Sequence, residues 1–284
     1  MLRTCVFLIL SCVHACLLGS SVEAADPEVL LATTTSVSDS GLLGALMPVF
    51  TERTGIHVRT IAVGSGAALR MGAEGSVDIL ITHDPDGEER IVASGEIISR
   101  HPFMENYFVI AGPAGDPAKV ADAPSAAEAF RRLAEAHATY VSRGDESGTH
   151  TRETALLTAA GLDPARAWDG LARTGAGMGL TLQVAGEHRA YVLSDIGTFL
   201  AFRERIDLVI LSRPDPALRN VYSVLRVNPE RFSGRIHAEP ASALEAFLLG
   251  REAQERIAQF GKERFGQPLF RPLLLASPHK VPNE

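Results

Sequence analysis

Short apolar runs alternate along the chain with stretches in which apolar residues recur at helical spacing, and the alternation begins soon after residue 25. Val29-Leu30-Leu31-Ala32 predicts a buried strand. After a polar loop, Leu42, Leu43, Leu46, Val49 and Phe50 share one helical face, and Gly55 stands where a C-terminal cap belongs. Ile56 to Val63 predicts a second strand, Ala67 to Ala73 a short helix, and Val77 to Ile81 a third strand. This βαβαβ order implies a parallel sheet covered by helices on both faces.

The pattern pauses and then resumes. Tyr107 to Ala111 reads as a strand running into the turn-rich Gly112-Pro113-Ala114-Gly115-Asp116-Pro117. Ser125-Ala126-Ala127-Glu128 has the spelling of a capping box and opens a helix to about His137. Tyr140-Val141 is the next short strand, and Thr149 to Ala160 the next helix, stopped by Gly161. Strands follow at Ala190 to Leu193, Leu208 to Leu211 and Val221 to Val227, then one long helical region from Ala241 to about Phe265. The expected fold is α/β with two lobes: residues 26–110 plus 224–284 form the first, and 111–223 the second. Strands near Phe108 and Val224 cross between them.

The first residues stand apart from this pattern. Arg3 gives a positive start, and Val6 to Leu18 is apolar apart from Ser11 and His14. Val22 and Ala24 are the small residues of a cleavage site before Ala25. Residues 1–24 therefore read as a secretory signal peptide, too short to span a membrane comfortably. All three cysteines (Cys5, Cys12 and Cys16) fall inside it, so the exported chain has no thiol for a disulfide or zinc site. A lipid anchor on Cys16 is the second option, since Val13-His14-Ala15-Cys16 loosely resembles a lipoprotein box. Either way the protein is expected outside the cytoplasm, in the periplasm.

Composition narrows the function. Of 284 residues 46% are hydrophobic and 21% charged, with a net charge of −7 and no long run of either sign. That describes a globular chain without the basic face of a nucleic-acid binder. The nine histidines form no His-x-x-x-His or Glu-x-x-His pair. His83-Asp84-Pro85-Asp86 reads as a turn leading to a helix at Glu88 rather than a cation site. Ser194-Asp195 and the Ser147/His150 pair lack a hydrolase nucleophile elbow. No catalytic residues, metal or cofactor are expected.

The chemistry gathers instead at loops that follow strands. Thr33-Thr34-Thr35-Ser36 sits at the carboxyl end of the first strand and opens a helix. Ligands bind at that edge of an open parallel sheet, and hydroxyls beside a helix start suit an anion. Helix capping explains one hydroxyl there but not four in succession. Gly64-Ser65-Gly66 repeats the arrangement after the second strand, with small residues that admit a close backbone approach. In the second lobe, Ser142-Arg143-Gly144-Asp145 offers a forked cation, and Asp145 is placed to orient Arg143 or cap the next helix. A surface Arg–Asp pair is the bland alternative. Gly175-Ala176-Gly177-Met178-Gly179 has no following Lys, so it is no nucleotide P-loop; it is a turn or a source of backbone N–H groups.

These residues resemble the periplasmic tungstate-binding proteins of ABC transporters, type II solute-binding proteins related to the molybdate binders. The resemblance rests on ATTTSVSDSGLL (32–43), VGSGAALRMG (63–72), VDILITHDP (77–85) and SRGDESGTHTRE (142–153). GAGMGLTL (175–182), AYVLSDIGTFL (190–200) and VNP (227–229) complete it across the exported chain. It implies that Thr34, Thr35 and Ser36, with Ser65 beside them, form one wall of an oxyanion cleft and that Arg143 is the charge partner on the other. Thr33, Gly64, Gly66, Ser142, Gly144 and Asp145 are implied as support. Ser65 stands where similar proteins often have Thr, which keeps the hydroxyl, and Ile196 where Arg is frequent. The implied partners are tungstate, a permease and its ATPase, bound by a monomer. Molybdate, sulfate or phosphate binding, a sensing role, and hydrolysis of a phosphoryl or sulfuryl ester are the competing readings.

Overall fold

A computed structural model of the chain describes residues 27–145, 147–166 and 168–275. The export signal and Cys16 lie outside the described residues. The first half runs β1 (Glu28–Thr34), α1 (Thr35–Ser40), α2 (Leu42–Thr54), β2 (His57–Val63), α3 (Ser65–Ala73), β3 (Ile79–Thr82) and α4 (Pro85–Ala93). It continues with β4 (Ile97–Gly112), α5 (Ala126–Glu135), β5 (Tyr140–Ser142), α6 (Gly148–Ala159), β6 (Leu171–Arg173), α7 (Met178–Glu187) and β7 (Tyr191–Asp195). The last elements are α8 (Ile196–Phe202), β8 (Val209–Ile210), β9 (Arg219–Val227), α9 (Ala238–Leu249), α10 (Arg251–Gln259), α11 (Lys262–Phe265) and β10 (Arg271–Pro272).

Hydrogen bonding runs across the strands in the order β2-β1-β3-β9-β4-β7-β5-β6, with β8 and β10 also paired to β4. β1 lies parallel to both β2 and β3, as the βαβαβ pattern requires. β5 is likewise parallel to β6 and β7. The two parallel groups meet through β4 and β9, which pair antiparallel over Ile97–Tyr107 of β4. Beyond Tyr107, β4 changes partner and pairs with β7 through Phe108–Ala111. A single strand thus enters both groups, and the carboxyl ends of β1 and β5 face a common junction.

Apolar packing explains why these elements hold together. Val29, Leu31 and Ala32 of β1 are buried because helices cover both faces of the sheet. Leu42, Leu46 and Phe50 of α2 fill one side with Leu244 and Leu248 of α9. Ala68 and Leu69 of α3 pack with Ile91 of α4 on the other. A separate core under α5 and α6 gathers Phe130, Leu133, Tyr140, Leu156 and Leu157. Buried Asp78 ties the first half to α9: it accepts from the backbone N–H groups of Leu30 (2.7 Å) and His237 (2.8 Å).

Several elements differ from the sequence expectation. The strand expected over Tyr107–Ala111 extends back to Ile97, because Ser99, Arg100, His101 and Pro102 interrupt the apolar signal without ending the pairing. Bulges at Ile97/Ser99 and Pro102/Met104 accommodate that stretch, and Arg100 is neutralised by buried Glu88 at 2.8 Å. The helix expected at Glu88 starts earlier, at Pro85, where Asp84 caps it by accepting from Gly87 N. The single helix expected from Ala241 to about Phe265 is three, broken at Gly250 and at Gly261, whose φ is +90°. The glycine-rich stretch read as a turn opens α7, where the glycines serve close packing: a Cβ on Gly179 would lie 2.5 Å from the Phe202 ring.

Leu46 is fully buried in the core that also holds Val29 and Leu31 of β1 and Leu244 and Leu248 of α9. Leu46→Ala is expected to cost about 2–5 kcal/mol, read as a lower urea midpoint at unchanged slope. An unchanged midpoint would contradict the packing described.

Candidate functional site

β1 delivers the hydroxyl run to the junction, where it turns directly into α1. Thr33 is fully buried and its hydroxyl has no partner. Thr34 is the cap of α1: its Oγ1 accepts from Val37 N at 3.4 Å and lies 3.1 Å from Ser36 Oγ. The Thr35 hydroxyl is sealed from solvent and unpartnered. Ser36 is buried and is also linked to Tyr222 of β9. Ser65, at the start of α3, is buried and its Oγ accepts from His83 N at 3.5 Å. Gly64 is the residue before that helix, and Gly66 lies in its first turn.

The opposite wall is the loop between β5 and α6. Arg143 is only 4% exposed, which is rare for a charged side chain and needs partners. Its Nη2 donates to Asp145 Oδ2 at 2.5 Å, and its Nε donates to the Ala176 carbonyl at 3.2 Å. The glycine-rich stretch therefore buttresses the guanidinium through a carbonyl rather than through N–H groups. Among the described residues, Nε and Nη2 of the guanidinium are engaged in this way. Asp145 uses its other oxygen to accept from Ser147 N at 3.3 Å; it holds Arg143 as expected, but the cap of α6 is Ser147, whose hydroxyl accepts from His150 N. Gly144 has φ +61° and a Cβ there would lie 2.9 Å from Arg173, so only glycine fits the bend. Ser142 is buried, and its hydroxyl donates to Glu153 Oε1 at 2.5 Å.

The walls touch. A Cβ built on Gly64 would sit 3.5 Å from Ser147 Cα, an ordinary van der Waals separation. Gly148 meets the His83 ring so closely that a Cβ would fall 2.4 Å from it. α1 also packs against α7 and α8. Two residues without an assigned role in the sequence belong here. Thr149, in the first turn of α6, is 1% exposed with an unpartnered hydroxyl. His83, 7% exposed, has an unpartnered Nδ1. Nothing local in the sequence marks either, because each is placed by a chain segment far away.

Electrostatics at the junction are mixed. Burial raises the carboxyl of Asp39 on α1; Asp195 raises it further, and Arg143 pulls it down. Burial likewise raises Asp195, the cap of α8, against hydrogen bonds from Thr198. Arg143 therefore acts across the junction on Asp39 of α1, on His83 after β3 and on Asp195 at the end of β7. Among the described residues no group of three or more His, Cys, Asp or Glu side chains could hold a metal ion.

Beneath Arg143, Glu153 of α6 is pushed up to about 7 by burial, against donors from Ser142 and Tyr140. A carboxyl raised in the folded state binds more protons folded than unfolded, so stability falls as pH rises from about 4.5 through about 7. Glu153→Gln is expected to remove that dependence. The variant's melting temperature, relative to wild type, should be higher at pH 8 than at pH 5. An equal offset at both pH values would contradict the assignment.

A family model, the PBP superfamily domain, matches residues 21–251. The chain is 42% identical over 247 residues to the tungstate-binding protein TupA of Peptoclostridium acidaminophilum, covering 86% of this chain and 85% of that protein. A solved structure described as the tungstate ABC transporter from Geobacter sulfurreducens is similar at 41% identity and a TM-score of 0.75, over 82% of this chain and 98% of that one. The tungstate-binding protein TupA from Desulfovibrio alaskensis G20 is similar at 37% identity and a TM-score of 0.74, over 87% and 98%. The fold is accordingly the type II binding-protein fold, two α/β lobes joined by crossing strands with a cleft between them. The chain belongs to the PBP superfamily and, within it, to the family of the TupA proteins.

Proposed function

We propose that this protein captures tungstate in the cleft between its lobes and delivers it to the membrane permease of an ABC transporter. The observation that carries this reading is an excess of hydrogen-bond donors. A buried guanidinium, Arg143, stands at the junction, and among the described residues the buried hydroxyls of Thr33, Thr35 and Thr149 are unpartnered. Such groups are costly to bury without acceptors. A tetrahedral oxyanion supplies acceptors on every side. Thr34, Thr35, Ser36 and Ser65 stand on the first wall, with Arg143 and Thr149 on the second. Gly64, Gly66 and Gly144 allow close approach, and Thr33, Ser142 and Asp145 hold the others in place.

The same geometry favours an anion without a proton. Hydrogen phosphate would need an acceptor in the site, and both oxygens of Asp145 are already engaged by Arg143 and Ser147. Tungstate and molybdate carry no proton at neutral pH. The relatives' names favour tungstate of the two. Binding rather than catalysis is the role this reading assigns, in keeping with relatives whose names describe binding and transport.

Export by residues 1–24 would place the protein in the periplasm, free as a monomer or tethered at Cys16. The lobe boundaries would be 26–110 plus 224–284 and 111–223. Among the described residues no helix is long and apolar enough to cross a membrane.

A thermal-shift panel tests the reading, with tungstate, molybdate, sulfate and phosphate at equal concentration. A ligand at ~1,000 times its Kd adds about 4 kcal/mol, on the order of 10 °C for a chain of this size. The expected result is a large shift with tungstate, a smaller one with molybdate, and none with sulfate or phosphate. A flat panel overturns the reading and directs attention to ester hydrolysis.

A further inference from the structure

His83 follows β3 and precedes the cap of α4, yet its ring lies at the closest approach of the two lobes. Its Cε1, Nδ1 and Nε2 atoms face the first turn of α6, at 2.4, 2.6 and 2.8 Å from where a Gly148 Cβ would be. The next residue of that turn carries the unpartnered Thr149 hydroxyl. On its other side the ring packs against Tyr222 of β9, with centroids 4.8 Å apart, and Phe108 of β4 at 6.1 Å. Its backbone N–H is bonded to Ser65, one of the wall hydroxyls. Asn220 of β9 is the side-chain hydrogen-bond partner of the ring and favours its protonated form. Nδ1 is buried without a partner.

We propose that His83 is a direct contact of the bound oxyanion, with Nδ1–H donating to one anion oxygen and the ring held as imidazolium while the anion is present. The proposal rests on the oxyanion reading of the cleft. Its chemical reason is charge. Tungstate is a dianion, and the one buried guanidinium at the junction is already balanced by Asp145. Asp39 and Asp195 add negative potential nearby. A second cation at the anion compensates the second charge, and His83 is the group placed to supply it.

The surroundings support this sign of change. Before binding, burial and then Arg143, with Arg152 of α6 behind it, hold the imidazole down to about 3. The other groups facing the ring are neutral: Ser65 from α3, Phe108 from β4, and Asn220 and Tyr222 from β9. On its own segment, Asp84 caps α4, and Glu88 is occupied by Thr82, Asp84 N and Arg100. A bound dianion cancels the cationic field that disfavours imidazolium and adds an acceptor at Nδ1. Opposite charge within hydrogen-bond range raises a histidine pKa by units rather than tenths. Binding then takes up a proton, and affinity declines with rising pH.

Titration calorimetry with sodium tungstate, run at pH 6.5 in two non-oxyanion buffers of different ionisation enthalpy, reads that proton. Wild type is expected to take up a proton in the complex, and 15N-histidine spectra should show His83 with both ring nitrogens protonated only when tungstate is bound. His83→Phe keeps the ring packing and removes the donor; it should bind ~10–100-fold more weakly with the proton uptake lost. His83→Asn restores a donor near Nδ1 and should recover part of the affinity without the uptake. Tight binding by wild type with no proton change at His83 overturns the proposal while leaving the oxyanion reading intact. So does a His83→Phe protein that binds as tightly as wild type. If His83→Phe does not fold, His83→Asn and the wild-type spectra decide. No tungstate binding by wild type at all overturns the oxyanion reading instead.

Discussion

Burying a guanidinium costs several kcal/mol unless its hydrogen bonds are met, and that cost sets the layout around Arg143. Asp145 and the Ala176 carbonyl meet part of the demand from one side. To bring both within reach, the chain turns sharply at Gly144 and the loop before α7 folds back over β5. Ser142 and Glu153 then fix the strand end from which Arg143 projects. Arg143 lies at a junction whose far wall comes from a different parallel group of strands. The two-lobe architecture follows from this need, since one lobe carries the cation and the other most of the hydroxyls.

Ligand discrimination has the same origin. Buried hydroxyls and a guanidinium offer donors at the junction, and Asp145, the carboxylate beside Arg143, is engaged on both oxygens. Oxygens of a fully ionised tetrahedral anion meet such a surface on all sides. Across the crossing strands β4 and β9, Asn106, Asn220 and Tyr222 form a buried hydrogen-bonded chain that reaches Ser36.

Much of this is legible in the sequence because it is local. The hydroxyl run, the Gly-Ser-Gly turn and the Ser-Arg-Gly-Asp loop each follow a recognisable strand. Their placement at strand ends identifies the binding edge before any contact is known. What escapes is what depends on distant packing. His83 reads as part of a turn, and nothing nearby reveals that Gly148 will press against its ring. Thr149 sits in a quoted motif, but only burial shows that its hydroxyl lacks a partner. The first half of β4 is hidden by a polar stretch and a proline that bulges accommodate. α7 is hidden by glycines whose purpose is contact with Phe202.

The central claim is that the buried Arg143 guanidinium, not the hydroxyls alone, holds the anion. Titration calorimetry of tungstate into wild type and Arg143→Ala, with the melting temperature of each ligand-free protein as a control for folding, tests it most directly. Removal of a charge-assisted contact is expected to weaken binding by at least ~10–100-fold, in a protein whose ligand-free core is intact. Arg143→Ala binding tungstate as tightly as wild type would contradict the account.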